Sequence, residues 1–405
     1  MHIKKLVLLL AILILMLSSV YGYDKAGPPS ASAQVKVIRQ AANYSSNKAG
    51  PPSGSVQFEV IRQAAEKYIH RTKPTEILAK DLYAQMQGGA PNSDVKYYNP
   101  AFFSGPWIID VRTSESGELP DPYFSGHIPG AVNVPWRQIA DLQILRSLPH
   151  DRTIVVCSDT GQIGAQVTAI LNILGFDAVN LKWGMTSWSS DAEYAPGRYN
   201  SERDTVWTYS GSYRAICPLK EPTKTYPFPV VENTKSNNKQ TMLETAARAY
   251  LKAGKPANMS APYLHHLLYS DLDPIPGAPA NHWNEQNFNV PFFLDVRSDD
   301  LYLNGHLCGT SHYLPRDLFK KENLRHLPPG GQILVTCQNG HVGGQITALL
   351  NMLGYDAINL KWGISAWTLS LPGADVAPDR YIESRDCIKC PVVVKGFAPS
   401  APCLG

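Results

Sequence analysis

The 405-residue chain has little cysteine, little net charge and few long apolar runs, and each scarcity excludes a class of protein. Seven cysteines are too few and too scattered for a disulfide framework. A net charge of +3 is too small to indicate nucleic-acid binding. Beyond residue 17, no run is apolar enough to span a membrane. The length instead suggests two or three folded domains. The cysteines are Cys157, Cys217, Cys308, Cys337, Cys387, Cys390 and Cys403.

The first 22 residues have the pattern of a secretory signal peptide. Residues 1–5 are basic, residues 6–17 form an unbroken apolar run of twelve, and Val20 and Gly22 place small residues at both cleavage subsites. The run is shorter than the ~20 residues that a membrane-spanning helix needs. We therefore predict cleavage near Gly22, a secreted or periplasmic location, and no membrane insertion after cleavage. In an oxidising compartment, the odd number of cysteines leaves at least one free thiol.

Most of the chain is an internal repeat. The segment AILNILGFDAVNLKWGMTSW at 169–188 matches ALLNMLGYDAINLKWGISAW at 348–367 almost residue for residue, and shorter matches flank both segments. A stretch rich in Pro, Lys, Asn and Thr separates the two copies. The predicted division is a signal peptide at 1–22, a flexible linker at 23–56, a first copy at 57–215, a linker at 216–240, a second copy at 241–395 and a tail at 396–405.

Short apolar segments alternate with helical segments inside each copy. In the first copy, strands are predicted at 107–111, 131–134, 153–156 and 178–181, and helices at 139–148 and 166–174. This alternation is typical of an α/β domain with a central, mostly parallel sheet covered by helices on both faces. Ligands of such domains bind at the carboxyl ends of the strands, and a cysteine follows a predicted strand in each copy.

Cys157 and Cys337 each begin a loop that leads from a strand into a helix. The backbone N–H groups of such a loop and the helix dipole stabilise a thiolate, so both residues are candidate nucleophiles. Counted from the cysteine, the first loop (CSDTGQIGAQ) is one residue longer than the second (CQNGHVGGQ). The residues predicted to bind substrate are Gln338, Asn339, Gly340, His341, Val342 and Gly343 in the second loop, and Ser158, Asp159, Thr160, Gly161, Gln162, Ile163 and Gly164 in the first.

A buried, inert cysteine is the ordinary alternative for a free thiol. It would not require a glycine-rich turn, and it would not be expected twice in register. Asp159 places a carboxylate near Cys157, which would raise the pKa of that thiol. We therefore expect Cys337 to belong to the better catalyst, and the first copy to be weaker, structural or regulatory.

Other polar and aromatic residues are predicted to support the loops. Asp110 with Arg112, and Asp295 with Arg297, follow buried strands and are interpreted as structural ion pairs, with a catalytic role as the less favoured alternative. The aromatic candidates for the pocket mouth are Trp183 and Trp362, for which packing is a sufficient explanation.

Two clusters of cysteine or histidine are candidates for a metal site or a redox site. His306, Cys308 and His312 lie close together, but the first copy has only His127 there, so we predict no metal. The motif DCIKCP contains Cys387 and Cys390 followed directly by proline, whereas a redox C-x-x-C motif should begin a helix. A disulfide and a thiol pair that hands sulfur onward are both open alternatives here. We favour a structural role, with Cys217 or Cys403 as disulfide partners.

In combination, DVR, GHIPGAVNVP, the cysteine loop after a strand, LNxLGF/YDA and LKWGxxxW resemble the rhodanese (sulfurtransferase) domain, present twice, at 100–190 and 285–370. The resemblance implies that Cys337 and Cys157 accept a sulfane sulfur as a persulfide and pass it to a thiol or to cyanide. It implies small sulfur compounds as substrates, a thiol protein as a further acceptor, and no cofactor. Two-domain members commonly have one active domain, the C-terminal one.

The loops depart from the thiosulfate:cyanide type, which has C-x4-R. Val342 stands at the arginine position of the second loop, so the donor is left open between thiosulfate and a polysulfide-like compound. A phosphatase of the dual-specificity cell-cycle type would have C-x5-R, but Ile163 stands at that position of the first loop. The main alternative is a non-catalytic tandem scaffold, or a protein that binds sulfide species without turnover.

Overall fold

The computed structural model describes residues 54–87, 105–113, 122–206, 224–231, 234, 236–269, 291–307, 309–368, 379–390 and 392–393. The predicted signal peptide, most of the first linker, the tail, and the cysteines at 217, 308 and 403 lie outside these residues. Within the described part of the chain, no helix has both the length and the apolar character needed to cross a membrane.

Each copy forms a five-stranded sheet in which all paired strands are parallel. The strands are β1 (Glu76–Ile77), β2 (Trp107–Asp110), β3 (Val132–Asn133), β4 (Ile154–Cys157), β5 (Ala178–Leu181), β6 (Asn258–Met259), β7 (Phe292–Asp295), β8 (Ser311–His312), β9 (Gln332–Thr336) and β10 (Asp356–Leu360). Their spatial orders, β1-β5-β4-β2-β3 and β6-β10-β9-β7-β8, are the same in both copies. The predicted fold class is confirmed.

Helices surround the two sheets. They are α1 (Val56–Ile69), α2 (Ala79–Gln87), α3 (Pro122–Ser125), α4 (Leu142–Ser147), α5 (Gln162–Ile173), α6 (Met185–Trp188), α7 (Ser201–Asp204), α8 (Lys239–Lys252), α9 (Ala261–Tyr269), α10 (Asp299–Leu303), α11 (Pro315–Leu318), α12 (Lys321–Leu324), α13 (His341–Met352), α14 (Ile364–Trp367) and α15 (Glu383–Asp386). The central strands β4 and β9 are almost wholly buried, as parallel strands covered on both faces must be.

The helix after the first cysteine loop begins earlier than predicted. Helix α5 begins at Gln162, not at residue 166, because Gly161 adopts a φ of 85° and ends the loop there. Gly340, with a φ of 89°, does the same before α13. Glycine occupies this left-handed conformation without the steric cost that other residues have.

The two copies share one hydrophobic core. Helices α5 and α13 pack against each other, and a single cluster of buried residues includes Ile170 of the first copy and Leu349 of the second. Phe228, in the segment predicted as a linker, is buried and packs on Phe58 with ring centroids 4.6 Å apart. This part of the linker is therefore integral to the packing of the two copies.

Each copy also donates hydrogen bonds to backbone carbonyls of the other. The Tyr199 hydroxyl donates to the carbonyl of Ser365 in the second copy (3.1 Å), and the Tyr381 hydroxyl donates to the carbonyl of Thr186 in the first (2.8 Å). Residues 388, 390 and 393 also contact the first copy, where the Cys390 amide donates to the Trp188 carbonyl. These reciprocal contacts hold the two sheets in one relative orientation.

Candidate functional site

The two cysteines stand at different positions of the repeat. The sheet register pairs Asp110 with Cys157 in the first copy, but it pairs Asp295 with Thr336 in the second. Cys157 is therefore the counterpart of Thr336, at the last position of its strand. Ser158 is the counterpart of Cys337.

The predicted difference in loop length is wrong. One constant offset in numbering relates Ser158 to Cys337 and Gly161 to Gly340, and it continues through the helices. The backbone follows the same register, because the carbonyl of Ser158 accepts from Met185 N at 2.8 Å, as the carbonyl of Cys337 accepts from Ile364 N at 2.8 Å. The loops have equal length, and the first cysteine lies one residue earlier. This result also removes the basis of the phosphatase alternative.

Cys157 is a core residue. Successive side chains of a strand point to opposite faces of the sheet, so Cys157 faces away from the side on which Ser158 lies. Its side chain is fully buried in a cluster with Leu82 and Trp188. Burial raises the pKa of the Cys157 thiol well above its usual value, and the carboxylates of Asp110 and Asp159 raise it further, against the opposing effect of Arg112. This placement does not support the predicted catalytic role of Cys157.

Cys337 lies at the carboxyl end of β9, where the loop amides converge on its sulfur. The N–H of Gly340 donates to Sγ at 3.1 Å, and the amides of Asn339 and Gly343 also lower the pKa of this thiol. Burial raises that pKa by more, so it remains above its usual value. The predicted stabilisation by backbone amides is present, but it does not outweigh desolvation.

Ser158 occupies the equivalent place in the first copy. Its Oγ accepts from the amides of Gly161 (3.0 Å) and Gly164 (3.1 Å), as the sulfur does in the second copy. The first loop therefore retains the shape of the amide cradle and has a hydroxyl where the second loop has a thiol.

A second glycine confines the Cys337 loop from the opposite side. Gly363 has a φ of 58°, and a Cβ there would lie 2.3 Å from the carbonyl oxygen of Cys337. Both groups belong to the backbone, so neither can move without displacing the loop. We expect Gly363→Ala to destabilise the fold by roughly 1–3 kcal/mol and to slow the reaction of Cys337 with iodoacetamide, as measured by urea unfolding and alkylation rates.

Gly184 provides the matched control, since it has a φ of 52° and its Cβ would lie 2.0 Å from the carbonyl oxygen of Ser158. Gly184→Ala should cost similar stability and leave the alkylation rate of Cys337 unchanged. Equal slowing in both variants would show that the effect is a general loosening of the fold.

The predicted ion pairs are fully buried and support the strand ends. Arg112 binds Asp110 at 2.6 Å, and it also donates to the carbonyls of Gly126 and Tyr194. Arg297 binds Asp295 at 2.7 Å and donates to the carbonyl of Gly305. These contacts are those of structural pairs that fasten the loop after β2 or β7.

Trp183 and Trp362 pack between the two copies. Both have a positive φ (65° and 66°), both are at most 2 % exposed, and their ring centroids are 6.0 Å apart. Trp183 also contacts the ring of His341, at 4.7 Å. Packing between the copies accounts for their position.

The histidine and cysteine clusters have structural contacts. The rings of His306 and His312 both stack on Tyr302, and their nitrogens lie within hydrogen-bonding distance of the carbonyls of Tyr302 and Arg297, respectively. Among the described residues, no three His, Cys, Asp or Glu side chains are grouped to hold a metal ion.

Cys390 is disulfide-bonded and Cys387 is a free thiol, so these two residues do not pair with each other. The other half of the disulfide lies outside the described residues.

The remaining loop residues divide between the interior and the surface. Asn339, Thr160 and Gln162 are buried where the two loops meet, and the side-chain amide of Gln162 reaches the carbonyl of Asn339 at 3.5 Å. Val342, at the position of the missing arginine, is 38 % exposed, whereas Ile163 packs on the shared core.

Three charged residues beside the Cys337 loop were not predicted from the sequence. Glu76 of the first copy binds the ring of His341 (2.6 Å), while Asp379 joins the side-chain amide of Asn339 to the ammonium of Lys182 at 2.9 Å each. Glu76 lies 265 residues from His341, and no sequence motif marks the contact.

Residues 93–191 and 279–370 match the Rhodanese-like domain family. A rhodanese-like domain protein from Staphylococcus aureus is 26% identical over 29% of this chain and 93% of its own, with a TM-score of 0.22. A thiosulfate sulfurtransferase from Pseudomonas aeruginosa is 14% identical over 80% of this chain and 49% of its own, with a TM-score of 0.26. A rhodanese-related protein from Thermoplasma volcanium is 21% identical over 28% of this chain and 88% of its own, with a TM-score of 0.21. No curated protein matched the chain.

Proposed function

The chain is a tandem rhodanese-domain protein, and on that premise we propose that it is a sulfurtransferase whose sulfur-carrying residue is Cys337. The observation that carries the proposal is the direct contact of the Gly340 amide with Sγ, at 3.1 Å, in a loop at the carboxyl end of a central parallel strand. Such a loop stabilises negative charge on the sulfur, both in the thiolate and in a persulfide.

The transfer takes place in two displacement steps. The Cys337 thiolate attacks the outer sulfur of the donor; a new S–S bond forms, the S–S bond of the donor breaks, and the rest of the donor departs with the electron pair. An acceptor thiolate or cyanide then attacks the outer sulfur of the persulfide, which releases the sulfur to the acceptor and restores the thiolate. Because its pKa is raised, the reactive fraction of Cys337 should increase with pH above neutrality.

The donor class follows from the charge near the sulfur. Val342 provides no counter-charge at the position where thiosulfate-using relatives have an arginine, so a doubly charged donor would depend on the loop amides. We therefore favour a polysulfide or organic persulfide over thiosulfate. With the proposed signal peptide, the reaction would take place outside the cytoplasm.

Intact mass spectrometry tests the proposal. The purified protein is incubated with sodium tetrasulfide or with thiosulfate, its mass is recorded, and cyanide is added. Transfer is supported if the protein gains the mass of one sulfur atom and loses it again on adding cyanide, while thiocyanate forms. A protein that gains no sulfur from either donor would refute it.

The near-complete burial of Cys337, which is 3 % exposed, favours the alternative of a non-catalytic scaffold. A scaffold would also resist alkylation of this thiol in the folded state. Rapid alkylation without sulfur uptake would indicate a different thiol chemistry at the same loop.

The register of the first copy makes a separate prediction. In a Cys337→Ser background, Ser158→Cys should restore sulfur uptake at position 158, because two amides already point at this side chain. We expect uptake about tenfold slower than in the wild type. The adjacent Asp159 carboxylate would raise the pKa of the new thiol, and a less favourable position of the sulfur would slow its attack further. Peptide mapping after tetrasulfide treatment checks the site. Alkylation without sulfur uptake at this position would show that the amide cradle alone is insufficient.

A further inference from the structure

We propose that the first copy acts on the reaction by holding the Cys337 loop through His341, and that Glu76 is the positioning residue. This inference rests on the proposed sulfur transfer at Cys337. It assigns to the first copy, which lacks a nucleophile in its own loop, a role in the chemistry of the second.

His341 is the first residue of α13 and follows Gly340, whose amide donates to the sulfur. Its ring is 1 % exposed and is held from both sides by the first copy. Nδ1 lies 2.6 Å from Oε1 of Glu76, and Nε2 lies 3.2 Å from the carbonyl oxygen of Thr160. Displacing this ring would displace the amide that contacts the sulfur.

The contacts of His341 join its ring to two groups of the first copy. A carbonyl oxygen can only accept, so Nε2 donates to the carbonyl of Thr160. Burial alone would raise the pKa of Glu76, but His341, Lys182 and Asn180 offset it, and this pKa is lowered overall. Nδ1 lies within hydrogen-bonding distance of the Glu76 carboxyl group, so each ring nitrogen has a partner in the first copy.

A second contact from the first copy holds Asn339, the residue before Gly340. The Lys182 ammonium binds both carboxylate oxygens of Asp379 at 2.9 Å, and Asp379 accepts from the side-chain amide of Asn339 at 2.9 Å. The other end of that amide, Oδ1 of Asn339, accepts from the backbone N–H of His341 at 3.0 Å. The two residues that flank Gly340 are thus both fixed from the first copy.

The contact between Glu76 and His341 lies beside the Cys337 loop and, among the described residues, has no equivalent beside the Ser158 loop. In the repeat, Gln162 is the counterpart of His341, and Asn258 is the counterpart of Glu76, since both lie opposite equivalent asparagines in the sheet. The two equivalent positions on the Ser158 side are therefore neutral: Gln162 stands in place of His341, and Asn258 stands in place of Glu76. The Ser158 side contacts the other copy without such a pair, through hydrogen bonds that include the one from the Tyr250 hydroxyl to Gln166. The occurrence of the Glu76–His341 pair beside the cysteine links it to the sulfur.

The test compares Glu76→Gln, His341→Gln and the double variant, all in a Cys387→Ser background, which removes the partly exposed free thiol among the described residues. We expect each single variant to load sulfur from sodium tetrasulfide about tenfold more slowly, the cost of a loosened reactive geometry. The double variant should be no slower than either single one, because the two residues act as one unit. Glu76→Asp should recover part of the rate.

Alkylation separates this proposal from sulfur transfer itself. The pH profile of the reaction of Cys337 with iodoacetamide should move to higher pH in Glu76→Gln, because the Gly340 amide is held less firmly against the sulfur. The charged and titratable groups near the pair include Lys182, Tyr68, Arg71 and Asp379, which remain in all variants. If the wild type takes up no sulfur but this profile still moves, the positioning role stands and the sulfur transfer fails.

Tyr250→Phe is the matched control. It removes a hydrogen bond between the copies on the Ser158 side, from the Tyr250 hydroxyl to Gln166, without touching the Cys337 loop. This variant should load sulfur at the wild-type rate. Equal slowing in Tyr250→Phe, or an unchanged rate and pH profile in folded Glu76→Gln, would overturn the proposal.

Discussion

Cys337→Ser should abolish sulfur uptake from tetrasulfide and thiosulfate alike, and with it the release of thiocyanate on adding cyanide. The reason is chemical: a serine hydroxyl at this position is not ionised near neutral pH and cannot form a persulfide. Intact mass and thiocyanate colorimetry measure the two losses. The fold should be unaffected, because Ser158 occupies the same place in the first copy with both of its amide contacts satisfied.

Cys157→Ser is the control for this experiment. Cys157 is fully buried and faces away from the amide cradle, so the variant should keep the sulfur uptake of the wild type. Placing a hydroxyl in that apolar cluster should cost about 1–3 kcal/mol of stability. Sulfur found on Cys157 by peptide mapping would contradict the assignment. Sulfur retained in Cys337→Ser would point instead to Cys387, the third free thiol among the described residues.

The repeat in the sequence was sufficient to predict the two parallel sheets, because it carried the whole alternation of strands and helices twice. It also placed Asp110 with Arg112 and Asp295 with Arg297 correctly, since residues two apart at a strand end lie on the same side and can pair. The prediction failed at the loop, where it took the cysteine as the fixed point. Gly161 and Gly340 were the better markers, because a left-handed glycine fixes where the helix begins.

The contacts between the copies could not be predicted in the same way. Helical and strand periodicities report which face of an element is buried, but not which distant element covers it. Glu76 lies on a two-residue edge strand, and Asp379 lies at the start of the described stretch at 379–390. Glu76 reaches the Cys337 loop, and Lys182 reaches Asp379, because the copies pack with α5 against α13. That arrangement follows from the three-dimensional packing of two similar but unequal domains.

Asp295→Asn should be the most destabilising of the conservative changes near the site. Asp295 is fully buried, and its carboxylate accepts from the backbone N–H (2.9 Å) and the guanidinium (2.7 Å) of Arg297. Neutralising it leaves a buried guanidinium without its counter-charge, which costs about 3–5 kcal/mol. Urea unfolding followed by tryptophan fluorescence measures the loss. The surface pair of Asp317 with Lys320 gives the control, since water screens this exposed pair and Asp317→Asn should leave the unfolding midpoint nearly unchanged.

Asp295→Asn should also change the pKa of the Cys337 thiol. Asp295 raises the pKa of the Cys337 thiol through its charge, so neutralising it, with Arg297 left positive, should lower that pKa. In the fraction that remains folded, Asp295→Asn should therefore shift the alkylation profile of Cys337 to lower pH. Adding Arg297→Gln to Asp295→Asn removes the unpaired charge, and the double variant should recover part of the stability and reverse the shift. A double variant that is less stable than Asp295→Asn would show that the two side chains contribute through packing and hydrogen bonds rather than through their charges.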